Sequence, residues 1–192
     1  YQGAEKYHGA FYILQDVGIT QSVPLLTTIA EDINEFPYAR GLAMLTLGKV
    51  AEPGKENILE VLLKGLKSNN KELMNYALSG IYHYGDKCWE KRHSYEHIKP
   101  LRRRVALQLI SILKKGKLKN RAVGEAASAL VSWGDNRVVL PIIDILEKEF
   151  YKREKEDLFI VLYHFPHPRS IDTVIRFYSK ASFWDKTFYL QL

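Results

Sequence analysis

Apolar residues recur along this chain at intervals of three and four, as at Leu59, Leu62, Leu63 and Leu66, the spacing that lays one apolar stripe along a helix. A helix with a single such stripe cannot bury it alone and has to stack against others. The spacing, with its breaks at glycine, proline and Asx residues, predicts helix pairs: 4–17 with 21–34, 37–50 with 55–68, 119–133 with 136–150, and 153–164 with 168–181. The third pair in chain order is 71–84 with 96–115, divided by an extended loop from Gly85 to Tyr95. Residues 183–192 read as the first helix of a sixth unit.

The pairs repeat one another. Segment 122–147 is a small-residue helix (Ala122, Gly124, Ala126, Ala127, Ala129), a Gly134-Asp135 turn and an aliphatic helix carrying Val138, Pro141 and Ile142. The first helix and turn recur as Asn75 to Tyr84 with Gly85-Asp86. Turn and second helix recur as Phe11 to Gly18 followed by Ser22, Val23, Pro24, Leu25 and Leu26, with Pro24 taken as the counterpart of Pro141. Glycine supplies the left-handed residue that ends a helix, Asp86, Asp135 and Asn136 can cap the next N-terminus, and proline is tolerated in a first turn.

On these residues the chain resembles the HEAT-repeat superfamily, including the short repeats named after phycobilisome lyases, over nearly its whole length. The resemblance implies an all-α fold, a right-handed α-solenoid of about five to six stacked helix pairs forming one array over 1–192, with second helices lining the concave face. It implies little about activity, because such arrays serve as scaffolds, transport receptors, lyase subunits and a few enzymes. The HEAT-like alkylpurine DNA glycosylases pair the fold with a Trp-Asp motif, and Trp184-Asp185 is similar to part of it. The position one helical turn after the Trp, where that family carries its carboxylate, is Phe188.

Composition narrows the reading further. No apolar run among the 192 residues approaches the roughly 18 that cross a bilayer, so membrane insertion is not expected. The chain opens at Tyr1 without Met or signal sequence and reads as a processed product or a piece of something longer. One cysteine, Cys88, excludes an internal disulfide and suits a reducing compartment such as the cytoplasm.

Charge is +6, from 28 basic and 22 acidic residues. The cations concentrate centrally, at Arg102, Arg103, Arg104, Lys114, Lys115, Lys117, Lys119 and Arg121. That strip is the candidate binding set, for phosphates of a nucleic-acid backbone, although lysines at a helix C-terminus also complement its dipole and no aromatic residues interleave for base stacking. Cys88, His93 and His97, beside His83, have the spacing of a partial zinc site but lack a second cysteine. No nucleophile elbow, phosphate loop or His-Glu-x-x-His pair is present, and no cofactor is implied.

Tyrosines at 76, 82, 84, 95, 151, 163, 178 and 189 are expected to divide between repeat junctions and surface. The expectation that follows is a non-enzymatic scaffold that binds a protein or peptide on its concave face. Nucleic-acid binding through the basic strip is the alternative, and an accessory subunit or a lyase- or glycosylase-like enzyme the third reading.

Overall fold

The computed structural model describes residues 4–90, 99–116, 118, 121–148, 151 and 154–180, which are all-helical, with no strand among them. One line of helices packs in chain order: α1 (Ala4–Val17) on α3 (Pro37–Val50), α3 on α5 (Lys71–Glu90), α5 on α7 (Arg121–Trp133) and α7 on α9 (Lys155–His164). The intervening helices form a second, more loosely joined line. Here α2 (Val23–Glu31) touches α4 (Glu56–Gly65), α4 touches α6 (Lys99–Lys114), α6 touches α8 (Val139–Glu147), and α8 touches α10 (Pro168–Lys180). Each of α2, α4, α6 and α8 also leans on the helix that follows it.

The core lies between the two lines, where Leu26, Leu42, Leu59, Leu78, Leu109, Leu130, Ile142 and Phe159 are at most 1% exposed. Burying one such side chain stabilises the fold by roughly 1.5–3 kcal/mol, which is why the apolar stripes dictate the stacking.

Within the first line the backbones come unusually close. A Cβ built on Gly48 would lie on the Gly80 carbonyl oxygen and 2.6 Å from the Gly80 Cα; one on Gly41 would meet the Tyr76 ring at 2.5 Å. Only glycine permits this separation, so α3 and α5 touch main chain to main chain.

The turn that follows α7 is built as the sequence implies. Gly134 takes φ 62°, its N–H donating to Val131 O at 2.9 Å, and the buried Asp135 carboxylate then accepts from Arg137 N at 3.0 Å. Arg137 also donates through Nε to the same carboxylate at 2.8 Å, and this pairing holds the Asp135 carboxyl below its ordinary range. A 3-10 turn, Asn136–Val138, leads into α8, and its counterpart Thr20–Ser22 leads from Gly18 (φ 66°) into α2. Pro24 is the second residue of α2 and Pro141 the third of α8, so the two prolines share a first turn but not a position.

The second expected turn is different. Helix α5 runs on through Gly85 and Asp86 to Glu90, where the sequence reads as a break after Tyr84, and Gly85 has no left-handed φ. Its glycine serves packing. A Cβ there would sit 2.5 Å from Trp133 Nε1, and that buried indole reaches past it to donate to the Ile81 carbonyl at 3.1 Å. The same extension puts Tyr84 under the loop before α4, where its fully buried hydroxyl accepts from Lys55 N at 2.6 Å and reaches the carbonyls of Glu52 and Lys55. Lys87 Nζ donates to the carbonyls of Lys49 and Ala51 at the end of α3, where a cation is favoured. No helix among the described residues is long and apolar enough to cross a membrane.

Candidate functional site

A groove of about 850 Å³ crosses the first line, lined by residues of all five of its helices. Tyr12 and Gln15 come from α1, Lys49 from α3, Glu72, Tyr76, Ser79, Tyr82 and His83 from α5, Arg121, Glu125 and Ser128 from α7, and Asp157 from α9. The α5 set is spaced by three and four residues, so the helix that buries Leu78 and Ile81 on one side presents a polar stripe on the other.

The walls are tied by hydrogen bonds that cross between helices. Lys49 Nζ donates to Gln15 Oε1 at 2.9 Å, and Gln15 Nε2 donates to the buried Thr46 hydroxyl at 2.8 Å. Ser79 Oγ donates to Glu125 Oε2 at 2.5 Å, and Arg121 Nε to Glu125 Oε1 at 2.7 Å, so both oxygens of that carboxylate are engaged. At the α1 end His8 stacks on Tyr38 and bonds its hydroxyl, while Tyr38 meets Tyr76 edge to face at 5.8 Å. Burial, reinforced by Tyr38, pushes the Tyr76 hydroxyl up to about 12, so it stays protonated as a donor.

Two further groups of the groove have altered proton affinity. Burial, with Lys49 next in effect, lowers His83 from the usual imidazole range and keeps it neutral near pH 7. Burial, then Glu154, raises the Asp157 carboxyl. Gly124 makes room for Asp157, since a Cβ there would sit 3.2 Å from the carboxyl carbon, and among the described residues no hydrogen bond or ion pair engages that carboxylate. The groove can therefore offer aromatic faces, the cations Lys49 and Arg121, neutral donors and acceptors, and two carboxylates, Glu72 and Asp157, that no hydrogen bond or ion pair engages among the described residues.

The central cations fall on different surfaces. Arg104 forms a two-pronged pair with Glu60 of α4, with Glu56 nearby at 3.9 Å. Arg103 lies on the side of α6 that acts on Asp135, and Arg102 on the side that acts on Cys88. Lys114 and Lys115 are exposed at the end of α6. Arg121 lines the groove of the first line, and Arg104 and Lys115 line a separate one beside α4. Lys117 and Lys119 are outside the described residues, as are His93, His97, Tyr95, Trp184, Asp185, Phe188 and Tyr189 and the proposed helix 183–192.

Cys88 is buried at the end of α5, and burial pushes its thiol up, which makes it an inert core side chain. Among the described residues no group of three His, Cys, Asp or Glu is placed to hold a metal. Of the tyrosines, Tyr84 and Tyr151 are buried, the latter donating to the Leu113 carbonyl at 2.8 Å, Tyr76 and Tyr82 line the groove, and Tyr163 is exposed.

No family model matches the chain, and no curated protein matches it. Sequence reasoning passed over Gln15, Lys49, Glu72, Ser79, Glu125 and Asp157. The signal that could have found Glu72, Ser79 and Glu125 is the three-and-four spacing of polar residues on α5 and α7, away from the apolar positions.

Proposed function

We propose that the chain is a HEAT-like α-solenoid whose first helices line the concave face, and that this face holds an extended segment of a partner protein without catalysing a reaction. The successive stacking of alternate helices in two lines supports the solenoid. The main-chain contact of α3 with α5, set against the looser joining of α2, α4, α6, α8 and α10, supports curvature toward the first line, because the more closely spaced layer is the inner one. On this reading the binding face lies on first helices, not on the second helices that the family resemblance implies.

The observation that carries the reading is the groove itself. It crosses five helices and combines Tyr12, Tyr76 and Tyr82, rigid amphipathic surfaces favoured in protein recognition, with charges of both signs. Ser79 bound to Glu125, and Glu125 to Arg121, brace the walls between which such a segment would lie.

The test is a photo-cross-linking residue at Ser128, in the groove, compared with one at Asp144, exposed on α8, in cells of the natural host. A protein captured through Ser128 alone, whose purified form binds the wild type and loses tenfold or more in affinity to Tyr82→Ala, supports the proposal. Capture that ignores the position, or binding indifferent to Tyr82→Ala, overturns it.

A further inference from the structure

A second groove lies on the other line of helices, between the end of α4 and the second half of α6, with a volume of about 560 Å³. Its floor is apolar: Leu66, Met74, Leu107, Ile112 and Leu118 line it. Leu107 is 60% exposed, in a helix whose neighbouring Val105, Ala106 and Leu109 are buried. The rim is cationic, with Lys67, Arg104 and Lys115, and among the described residues no acidic side chain lines the groove.

Beside it, the Glu60 carboxyl is held low chiefly by its bond to Arg104 and further by Lys64 and Lys67. Arg104 is also matched by Glu56 and Lys64 by Glu31, so the rim charge that no ion pair answers among the described residues is that of Lys67 and Lys115. The pairing with Glu60 also fixes the Arg104 guanidinium in place at the rim.

We propose that this groove is a docking site for an acidic amphipathic helix of a partner protein, distinct from the groove across the first helices and independent of what that groove binds. The argument is complementarity of two kinds. An apolar floor between two helices accepts the apolar stripe of a third, in the manner of helix-in-groove recognition. A rim carrying only cations selects Glu and Asp on the flanks of that stripe and repels Lys and Arg. A nucleic-acid strand answers the rim and not the floor, since Leu66, Leu107, Ile112 and Leu118 give bases no aromatic surface to stack on. Lys114 adjoins Lys115 in the chain and adds to the field that would steer an acidic segment toward the groove.

The experiment uses the full chain and three labelled probes in fluorescence anisotropy. They are a helical peptide of about five turns with Leu on one face and Glu on its flanks, the same peptide with Lys for Glu, and a single-stranded oligonucleotide of matched charge. The expected result is saturable binding of the acidic peptide alone, weakened about tenfold by Leu107→Ser and at least as much by Lys67→Glu combined with Lys115→Glu. These positions are exposed, so circular dichroism should show an unchanged fold, and Tyr82→Ala in the other groove should leave the affinity unaltered. The proposal is overturned if the oligonucleotide binds more tightly than the acidic peptide and ignores Leu107→Ser, if both peptides bind alike, or if no probe saturates below roughly 1 mM.

Discussion

Two glycines in helix interiors should respond to the same substitution with opposite signs. Gly9 lies in α1 with nothing within 4 Å of a built Cβ, whereas Gly48 in α3 faces the main chain of Gly80. Replacing glycine by alanine in a helix interior gains about 0.5–1 kcal/mol, because alanine loses less backbone entropy on folding.

For Gly9→Ala nothing opposes that gain. For Gly48→Ala the methyl group collides with a carbonyl that cannot turn aside without breaking its own helix, and the Gly80 Cα 2.6 Å away leaves no second route. Helices α3 and α5 must separate by roughly 1 Å, and overpacking of this kind costs about 1–3 kcal/mol even before the apolar side chains flanking the joint loosen. The net expectation is destabilisation by about 1–2 kcal/mol, and a difference between the two variants of about 2–3 kcal/mol.

Urea denaturation followed by far-ultraviolet circular dichroism measures both, and a chain of this length should show midpoint shifts of about 2–4 °C per kcal/mol in a parallel thermal scan. A Gly48→Ala protein as stable as the wild type would refute the close main-chain contact, and with it the case for curvature toward the first helices.

Two further expectations concern the joints. Trp133→Phe removes the indole donor to the Ile81 carbonyl and should destabilise by about 1–2 kcal/mol; Gly85→Ala should be costly in the wild type and milder in the Trp133→Phe background, a coupling that a double-mutant cycle reads directly. Asp135→Asn should cost about 1–2 kcal/mol at neutral pH. Because the Arg137 pair depresses the folded carboxyl, the Asp135 contribution is complete above the ordinary carboxylate range and lost as pH falls through the folded value. The stability gap between wild type and Asp135→Asn should therefore narrow in acid, and a gap that stays constant to low pH would contradict the assignment.

Helix boundaries were legible wherever local chemistry sets them. Expected helices 4–17 and 37–50 coincide with α1 and α3, and Gly134-Asp135 forms the turn its residues imply, since φ and capping depend on neighbours in the chain. Gly85-Asp86 carries the same pair of residues and forms no turn, because its glycine answers to Trp133, which is distant in sequence and close in space.

The described cations of the basic strip are spread over several neighbours for a related reason. Adjacent arginines on a helix point about 100° apart, so Arg102, Arg103 and Arg104 serve different neighbours, and Arg121 belongs to the other line of helices. Proximity in sequence is not proximity on a surface. The groove was hidden because polar residues opposite an apolar stripe look the same whether they face open solvent or a recess; only the stacking of α1, α3, α5, α7 and α9 turns them into walls.

Among the described residues, the hydrogen bonds between helices share one property: the partners are never more than 52 residues apart. Cohesion is thus relayed from joint to joint, as in a chain of links, and no principal contact ties α1 directly to α9. A small change of angle at each joint adds to its neighbours, so the distance from Tyr12 at one end of the groove to Asp157 at the other is set cumulatively.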